Sequence, residues 1–440
     1  MRQSLVWVIL LVFVLAGGTS LAQELSPQEG NGVVAGGMGY ARIGDEDFIS
    51  FTIRPEIAIG KIGIGLSLDL LYNVEKQEVR AEDWDESYDY FRILRYIRYG
   101  HKKDPVYARI GAFDRARIGH GFLMNYYTNE DANYDKRKIG LALDLDFGKF
   151  GFESITSNLG RLEIVGGRVY TRPVQYFSDL PIVKNLAFGA SYITDVDPDE
   201  FSDTDDAVSA FGLDSELPLI NNALIYTGLY YDYGKIVDYG SGQAFGIEAE
   251  LKGIAGLFNF FTKFERRLLG DKFLPTFFGP YYEVDRYNRN GFAVPDSNGV
   301  MALDTTVTHK AQLLGYQKES KGWYGELGGH VLGALQIVGT YQWLDDVKHS
   351  GLLHVQAEIP DAVPKIAFHA TYDKDGIETV KDLTVVNSVA RVGIGYKINP
   401  WMLLNMEYIY TFYEDDNGAI KSQKRIRPGI SFVYNFPVGN

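Results

Sequence analysis

The chain of 440 residues contains no cysteine. Disulfide staples and thiolate-bound zinc are therefore excluded. An excess of positive charge is missing too. The 43 Lys and Arg stand against 57 Asp and Glu, a net charge of −14, which argues against a general nucleic-acid binder. Long apolar runs are scarce: only the N-terminal segment comes near the ~20 residues of a helical span, so a helical membrane protein is excluded. The 7 histidines show neither HxH nor HExxH, and no GxSxG occurs, so zinc-enzyme and nucleophile-elbow signatures are absent. What is abundant is aromatic and glycine: 30 Tyr, 26 Phe and 48 Gly. That content excludes a disordered chain and leaves a large β protein, soluble or a membrane barrel.

The first residues indicate export. Met1-Arg2-Gln3-Ser4 carries one positive charge, Leu5 to Ala16 is unbroken apolar sequence, and Ser20-Leu21-Ala22 offers small residues before a cleavage site at Gln23. This is the pattern of a secretory signal peptide over residues 1–22. Export without a later transmembrane helix leaves periplasm, medium or outer membrane.

The rest of the chain alternates. In 48–59, Ile49, Phe51, Ile53, Ile57 and Ile59 oppose Ser50, Thr52, Arg54 and Glu56. In 139–147, Ile139, Leu141, Leu143, Leu145 and Phe147 oppose Gly140, Ala142, Asp144 and Asp146. Segments 62–73, 244–252 and 425–436 do the same. Period two means β-strand. Runs of about ten residues exceed the usual soluble strand and match a tilted crossing of a bilayer. One face is uniformly aliphatic or aromatic. The other mixes Gly, Ser, Asp, Glu and Arg, which suits a wet lumen. Tyr226, Tyr230, Tyr231 and Tyr233 near one strand end read as an interfacial girdle.

With the leader, the alternating strands and a last strand bearing Phe432, Tyr434 and Phe436, the chain resembles the porin-like outer-membrane β-barrels of Gram-negative bacteria. The resemblance is architectural and spans residues 23–440; no motif singles out one family within the class. It implies an all-β fold, a transmembrane antiparallel up-and-down barrel, forming a single domain with extracellular loops. Members usually end on an aromatic residue read by the assembly machinery, whereas here Pro437-Val438-Gly439-Asn440 follow Phe436. Reading strands along the whole chain gives 22 candidates, 277–287 and 309–318 among them. Those at 91–99, 277–287 and 322–344 are the least regular, so 18 to 22 strands are expected. Short turns such as Gly60-Lys61 and Gly148-Lys149 fall at one end; segments 74–90, 115–137, 195–207 and 373–385 fall at the other.

Requiring lumen residues to face each other sets the hairpin registers. Thr52 then lies opposite Asp69 with Arg54 diagonal to it, Arg391 opposite Glu407, Glu358 opposite Lys365 and His354 opposite His369. The two histidines suit a metal, but two water-bonded lumen imidazoles are the plainer reading. Asp144 meets Glu153 with Asp146 nearby. Such like charges call for a counter-ion or an arginine from elsewhere, or else a solvated wall, which is the plainer reading.

Two regions break the alternation. Arg92, Arg95 and Arg98 recur at spacing three, so that in a regular strand Arg95 faces lipid, whereas a short helix or inserted segment lines all three along one side. Arg115, Arg117 and the run Asp135-Lys136-Arg137-Lys138 add positive charge. If these fold inward, they face Asp144, Asp146 and Glu153 across a pore, as charge rings do in selective channels; the alternative is solvated outer loops. Asp195 to Asp206 resembles the start of a calcium loop but has Glu200 where Gly is needed, so a solvated acidic loop is the plainer reading. The aromatic stretch 273–287 suits sugar stacking or, more simply, loop packing.

The expected function is an outer-membrane channel giving passive or weakly selective diffusion of small polar solutes. Its expected lumen residues are Arg92, Arg95, Arg98, Arg115, Arg117, Asp144, Asp146, Glu153, Arg391 and Glu407. The alternatives are a non-conducting barrel serving as anchor or partner in secretion or surface display, and a barrel enzyme acting on lipids. No catalytic residue, cofactor, metal or nucleic acid is expected. The expected partners are outer-membrane lipid, lipopolysaccharide and small polar solutes.

Overall fold

The computed structural model describes Asn31 to Pro437, apart from residues 44–45, 103, 114, 130–136, 200–205, 255–257, 290, 296–300, 332–334, 360–364, 384–387, 400–401 and 415–419. The leader, Asp135-Lys136, Glu200 and the last three residues thus lie outside the described residues.

Twenty antiparallel strands close into a barrel. They are β1 (Asn31–Ile43), β2 (Glu46–Ile59), β3 (Ile62–Leu66, continued by Leu68–Asn73), β4 (Leu94–Tyr99), β5 (Val106–Gly111), β6 (Gly140–Asp146) and β7 (Phe150–Thr156). Then follow β8 (Ile164–Thr171), β9 (Ala187–Asp195), β10 (Val208–Asn221), β11 (Ile225–Ile236), β12 (Ser241–Ile254) and β13 (Phe258–Leu269). The circuit is completed by β14 (Ser320–Val331), β15 (Leu335–Leu344), β16 (Gly351–Ile359), β17 (Ile366–Ile377), β18 (Ser388–Asn399), β19 (Met402–Glu414) and β20 (Ile420–Pro437). Each strand pairs with its sequence neighbours, and β1 pairs with β20 from Asn31↔Pro437 to Gly39↔Gly429. Closure leaves no unpaired edge, the condition for spanning hydrocarbon with strands.

The alternation places its apolar set outside. Ile53, Ile59, Ile64, Ile97, Val169, Phe188, Leu213, Ile247, Phe264, Ile394, Met406, Ile430 and Tyr434 are all exposed, and they come from strands all round the circuit. A continuous apolar outer surface on a closed barrel is a lipid-facing belt, and the protein is an outer-membrane barrel. No helix among the described residues is long and apolar enough to cross a membrane.

Two expected strands are not strands. Residues 277–287 and 309–318 lie in the 270–319 connection, with α2 (Tyr282–Asp285) and α3 (Lys310–Leu313) in their place. The aromatics of the first are gathered into a loop core. In the second, the Gln312 side chain accepts from the Thr308 and His309 amides and starts a helical turn. The irregular 322–344 stretch is two full strands. Its glycines blur the pattern because a neighbouring ring occupies their space: a Cβ on Gly328 would lie 2.4 Å from the Phe261 ring.

The tyrosine cluster is split by the same period of two. Tyr226 and Tyr230 point into the lumen, where their hydroxyls donate to Glu216 and Glu265 at 2.5 and 2.8 Å. They therefore do not belong to a girdle. The first and last described residues, Asn31 and Pro437, and the short turns share one end of the barrel, although residues 172–186 there hold two 3-10 turns. The long connections 74–93, 112–139, 196–207 and 270–319 share the other end.

Candidate functional site

Two long connections fold into the barrel. Met124 and Phe278 form a parallel bridge, and the amides of Thr276, Phe278 and Asn125 bond to Phe122, Leu123 and Phe278 carbonyls at 2.7–3.2 Å. Around this pairing Phe122, Met124, Tyr127, Phe277, Phe278, Tyr282 and Leu314 pack on inward wall residues Ile155, Ile193, Ala210, Ile236 and Ala244. The cluster forms an apolar plug on one side of the lumen. The aromatic stretch 273–287 is thus loop packing.

The plug's tip is held to the wall by charge. Arg117 donates from Nη2 to both Glu326 oxygens, at 2.7 and 2.8 Å, and from Nε to Asn125 at 2.6 Å. Tyr126 and Tyr324 hydroxyls donate to the same Glu326 at 2.9 and 3.0 Å. His120 Nδ1 lies 3.0 Å from Asp232, and its ring stacks on Tyr230 at 4.3 Å. The Gly119 amide donates to Glu153 at 2.9 Å. Beneath runs a ladder from β13. Lys263, Glu265 and Arg267 alternate along the strand and so all face inward, with Glu265 2.6 Å from each cation. Charges removed from water persist only when paired in this way.

Below the plug, toward the short turns, lies a cavity of about 630 Å³ lined by side chains of both signs. Arg115, Arg117, Asp144, Asp146 and Glu153 line it together. The segment carrying Arg115 and Arg117 is folded inward, not left as a solvated loop. Asp144 does lie opposite Glu153. The solvated-wall reading of these acids is corrected, because each has a cation: Lys102 on Asp144 at 2.5 Å, Arg168 on Glu153 at 2.6 Å and Arg172 on Asp146 at 2.8 Å. Arg168 also spans to Asp214 at 2.7 Å. The three acids are thus neutralised locally and do not simply face an opposing basic wall.

The three spaced arginines separate. Arg92 caps α1 (Ser87–Phe91) in the outer 74–93 connection, paired with Asp89 and donating to the Arg137 carbonyl at 2.9 Å. Arg95 neither faces lipid nor joins the other two. It is the extra residue of a bulge, since Gly65 pairs with Tyr96 and Leu66 with Leu94, and its side chain turns in to Glu56. Gly111 permits the close approach: at φ +125° it sits where a Cβ would meet the Arg95 carbonyl at 2.2 Å. Arg98 is buried near the turn end and donates to the Gly100 carbonyl at 2.7 Å.

Registers follow expectation in the 48–59/62–73 hairpin, as they do for Asp144 and Glu153, and slip in two others. Thr52 pairs with Asp69, which accepts from it at 2.7 Å, and Arg54 reaches the same carboxylate at 3.4 Å. Arg391 lies opposite Ile409, two residues from the expected partner; Glu407 lies opposite Gly393, yet the pair still approaches to 3.7 Å diagonally. His354 pairs with Asp373 and His369 with Glu358, so the two histidines do not meet and Lys365 falls before the strand. The shift is four residues there and two in the other hairpin, and a shift by an even number keeps every face.

Away from the plug the inner wall stays wet. The side chains of Arg54, Arg391 and His369, on β2, β18 and β17, are 44%, 45% and 51% exposed. They lie on the contiguous arc from β17 round to β2, opposite the apolar cluster; at its margins Tyr126 packs on His354 of β16 and Arg137 pairs with Asp69 of β3 at 2.9 Å. Sequence reading missed Lys102, Arg168, Lys263, Glu265, Arg267 and Glu326. The signal was there for β13, where every second residue from Lys263 to Arg267 is charged.

The sequence matches no protein-family model and no curated protein. Among solved structures, the chain is similar to OccK2 (OpdF) from Pseudomonas aeruginosa in complex with glucuronate, at 9% identity and TM-score 0.31, covering 96% of this chain and 100% of that one. It is similar to the siderophore receptor PirA from Pseudomonas aeruginosa, at 7% identity and TM-score 0.34, covering 93% and 81%. Likeness to CdiB from Acinetobacter baumannii is 6% identity and TM-score 0.28, covering 92% of this chain but 60% of that one. Figures this low carry no argument about what the lumen does; the fold stands on the strand pairing above.

Proposed function

We propose that this barrel is an outer-membrane channel through which small polar solutes diffuse, with weak selectivity set by lumen charge. The observation that carries the reading is the asymmetry of the lumen. The plug rests against one wall, while Arg54, His369 and Arg391 on the opposite arc keep about half their side-chain surface open to water. That arc offers a polar path beside the plug, and among its described residues the exposed guanidinium groups of Arg54 and Arg391 favour anions. Diffusion needs no catalytic group, and the paired charges of the lumen suit a wall better than a reaction centre. Outer-membrane lipid and lipopolysaccharide contact the apolar belt and the long loops.

A second reading has one observation in its favour. Met124, Phe277 and Phe278 are fully buried, so the plug is well packed and suits a barrel that serves as an anchor or secretion partner. Osmotic swelling of proteoliposomes separates the two. The channel reading expects swelling in small sugars and amino acids at rates falling with solute size. No swelling over protein-free vesicles, with the barrel correctly folded, would favour the anchor.

A further inference from the structure

At the long-loop end, away from the cavity, Asp199 and Asp206 of the 196–207 connection meet His309 of the 270–319 connection. One ligand atom from each lies within 4.8 Å of the others. His309 Nε2 stands 2.9 Å from Asp206 Oδ2 and 3.5 Å from Asp199 Oδ2. Both Asp206 oxygens and His309 Nε2 are shut off from solvent, with no hydrogen-bond partner in any other described residue. An imidazolium that close to a carboxylate would place its N–H on the oxygen; here nitrogen and oxygen are adjacent without that alignment. Ligand atoms each about 2.1 Å from one metal stand about 3.0–3.4 Å apart, close to the two distances from His309 Nε2. The other ring nitrogen, Nδ1, is 3.0 Å from Thr308 Oγ1, the kind of outer contact that fixes a ligating imidazole.

We propose that Asp199, Asp206 and His309 form a binding site for a first-row divalent cation of the zinc type. The imidazole argues against calcium and magnesium, which take oxygen ligands. Three protein ligands leave a position for water. Occupancy ties the 196–207 connection to the segment that carries half of the plug, so the cation acts as a staple at the outer mouth.

The test is titration of Zn²⁺ into the detergent-folded full chain by calorimetry, with stoichiometry from native mass spectrometry. The expected result is one Zn²⁺ per chain, weakened at least about tenfold by Asp206→Asn and by His309→Gln. Asp304→Asn, in the same connection but outside the cluster, keeps wild-type binding, and Ca²⁺ does not compete. Absence of stoichiometric Zn²⁺ binding overturns the site, leaving a His309–aspartate ion pair. Binding that survives both ligand variants also overturns it, since the ion then sits on surface acids elsewhere.

Discussion

Replacing Glu326 by Gln keeps the shape of the side chain that pins the plug but removes its charge. Glu326 accepts two bonds from Arg117 and one each from Tyr126 and Tyr324. With it, two carboxylates stand among Arg117, Lys263 and Arg267; without it, Glu265 alone faces three buried or half-buried cations. Breaking a buried pair costs about 3–5 kcal/mol. Arg117 keeps 28% of its side chain in water, so about 2–3 kcal/mol is the appropriate figure here. That is about a 30- to 150-fold rise in the undocked fraction of the plug. The absence of cysteine supplies the assay. Met124→Cys places one thiol in the chain at a fully buried plug position. In a Glu326→Gln background, labelling by a polar maleimide should accelerate by that factor over the Met124→Cys protein alone. Equal labelling rates in the two backgrounds would refute the claim that Glu326 anchors the plug.

Further perturbations address the lumen and the wall. Arg54→Ala with Arg391→Ala should move the reversal potential in a salt gradient toward cation preference, whereas Arg92→Ala, in the outer connection, should leave it unchanged; a larger effect from Arg92 contradicts the assigned path. In Gly246→Ala the new Cβ lies 2.0 Å from the Tyr230 ring, so the ring must leave its hydrogen bond to Glu265. A loss of about 1–3 kcal/mol in denaturant unfolding is expected, and an unchanged midpoint speaks against the packing. Lys102→Ala leaves Asp144 beside Glu153 without its cation, and about 1 kcal/mol of stability should be lost at neutral pH and low salt. If added salt does not narrow that gap, the electrostatic account of the pair fails.

The barrel was legible because its physics is repetitive. Every strand must put greasy residues out and tolerate polar ones in, and that leaves a period of two readable without any partner. The turn at Gly60-Lys61 fixed the Thr52–Asp69 register because two residues allow few alternatives. Six residues separate Ile359 from Ile366, a spacing that does not restrict pairing in that way, and there the His354–His369 expectation slipped by four residues. Arg95 was misjudged because a bulge adds a residue to one strand only, and no local pattern announces it. The plug was hidden for a different reason. Phe277, Phe278 and Met124 meet across about 150 residues of chain, so their burial depends on closure of the barrel around them. Likewise the acids Asp199 and Asp206 read as solvated until the fold brought His309 against them.

The central claim is that water and ions pass beside the plug, and single-channel recording of the wild-type protein in planar bilayers tests it most directly. The account predicts stepwise current increments as barrels insert, with a reversal potential on the anion-selective side in a salt gradient. Folded barrels that insert into the bilayer yet pass no current would contradict it.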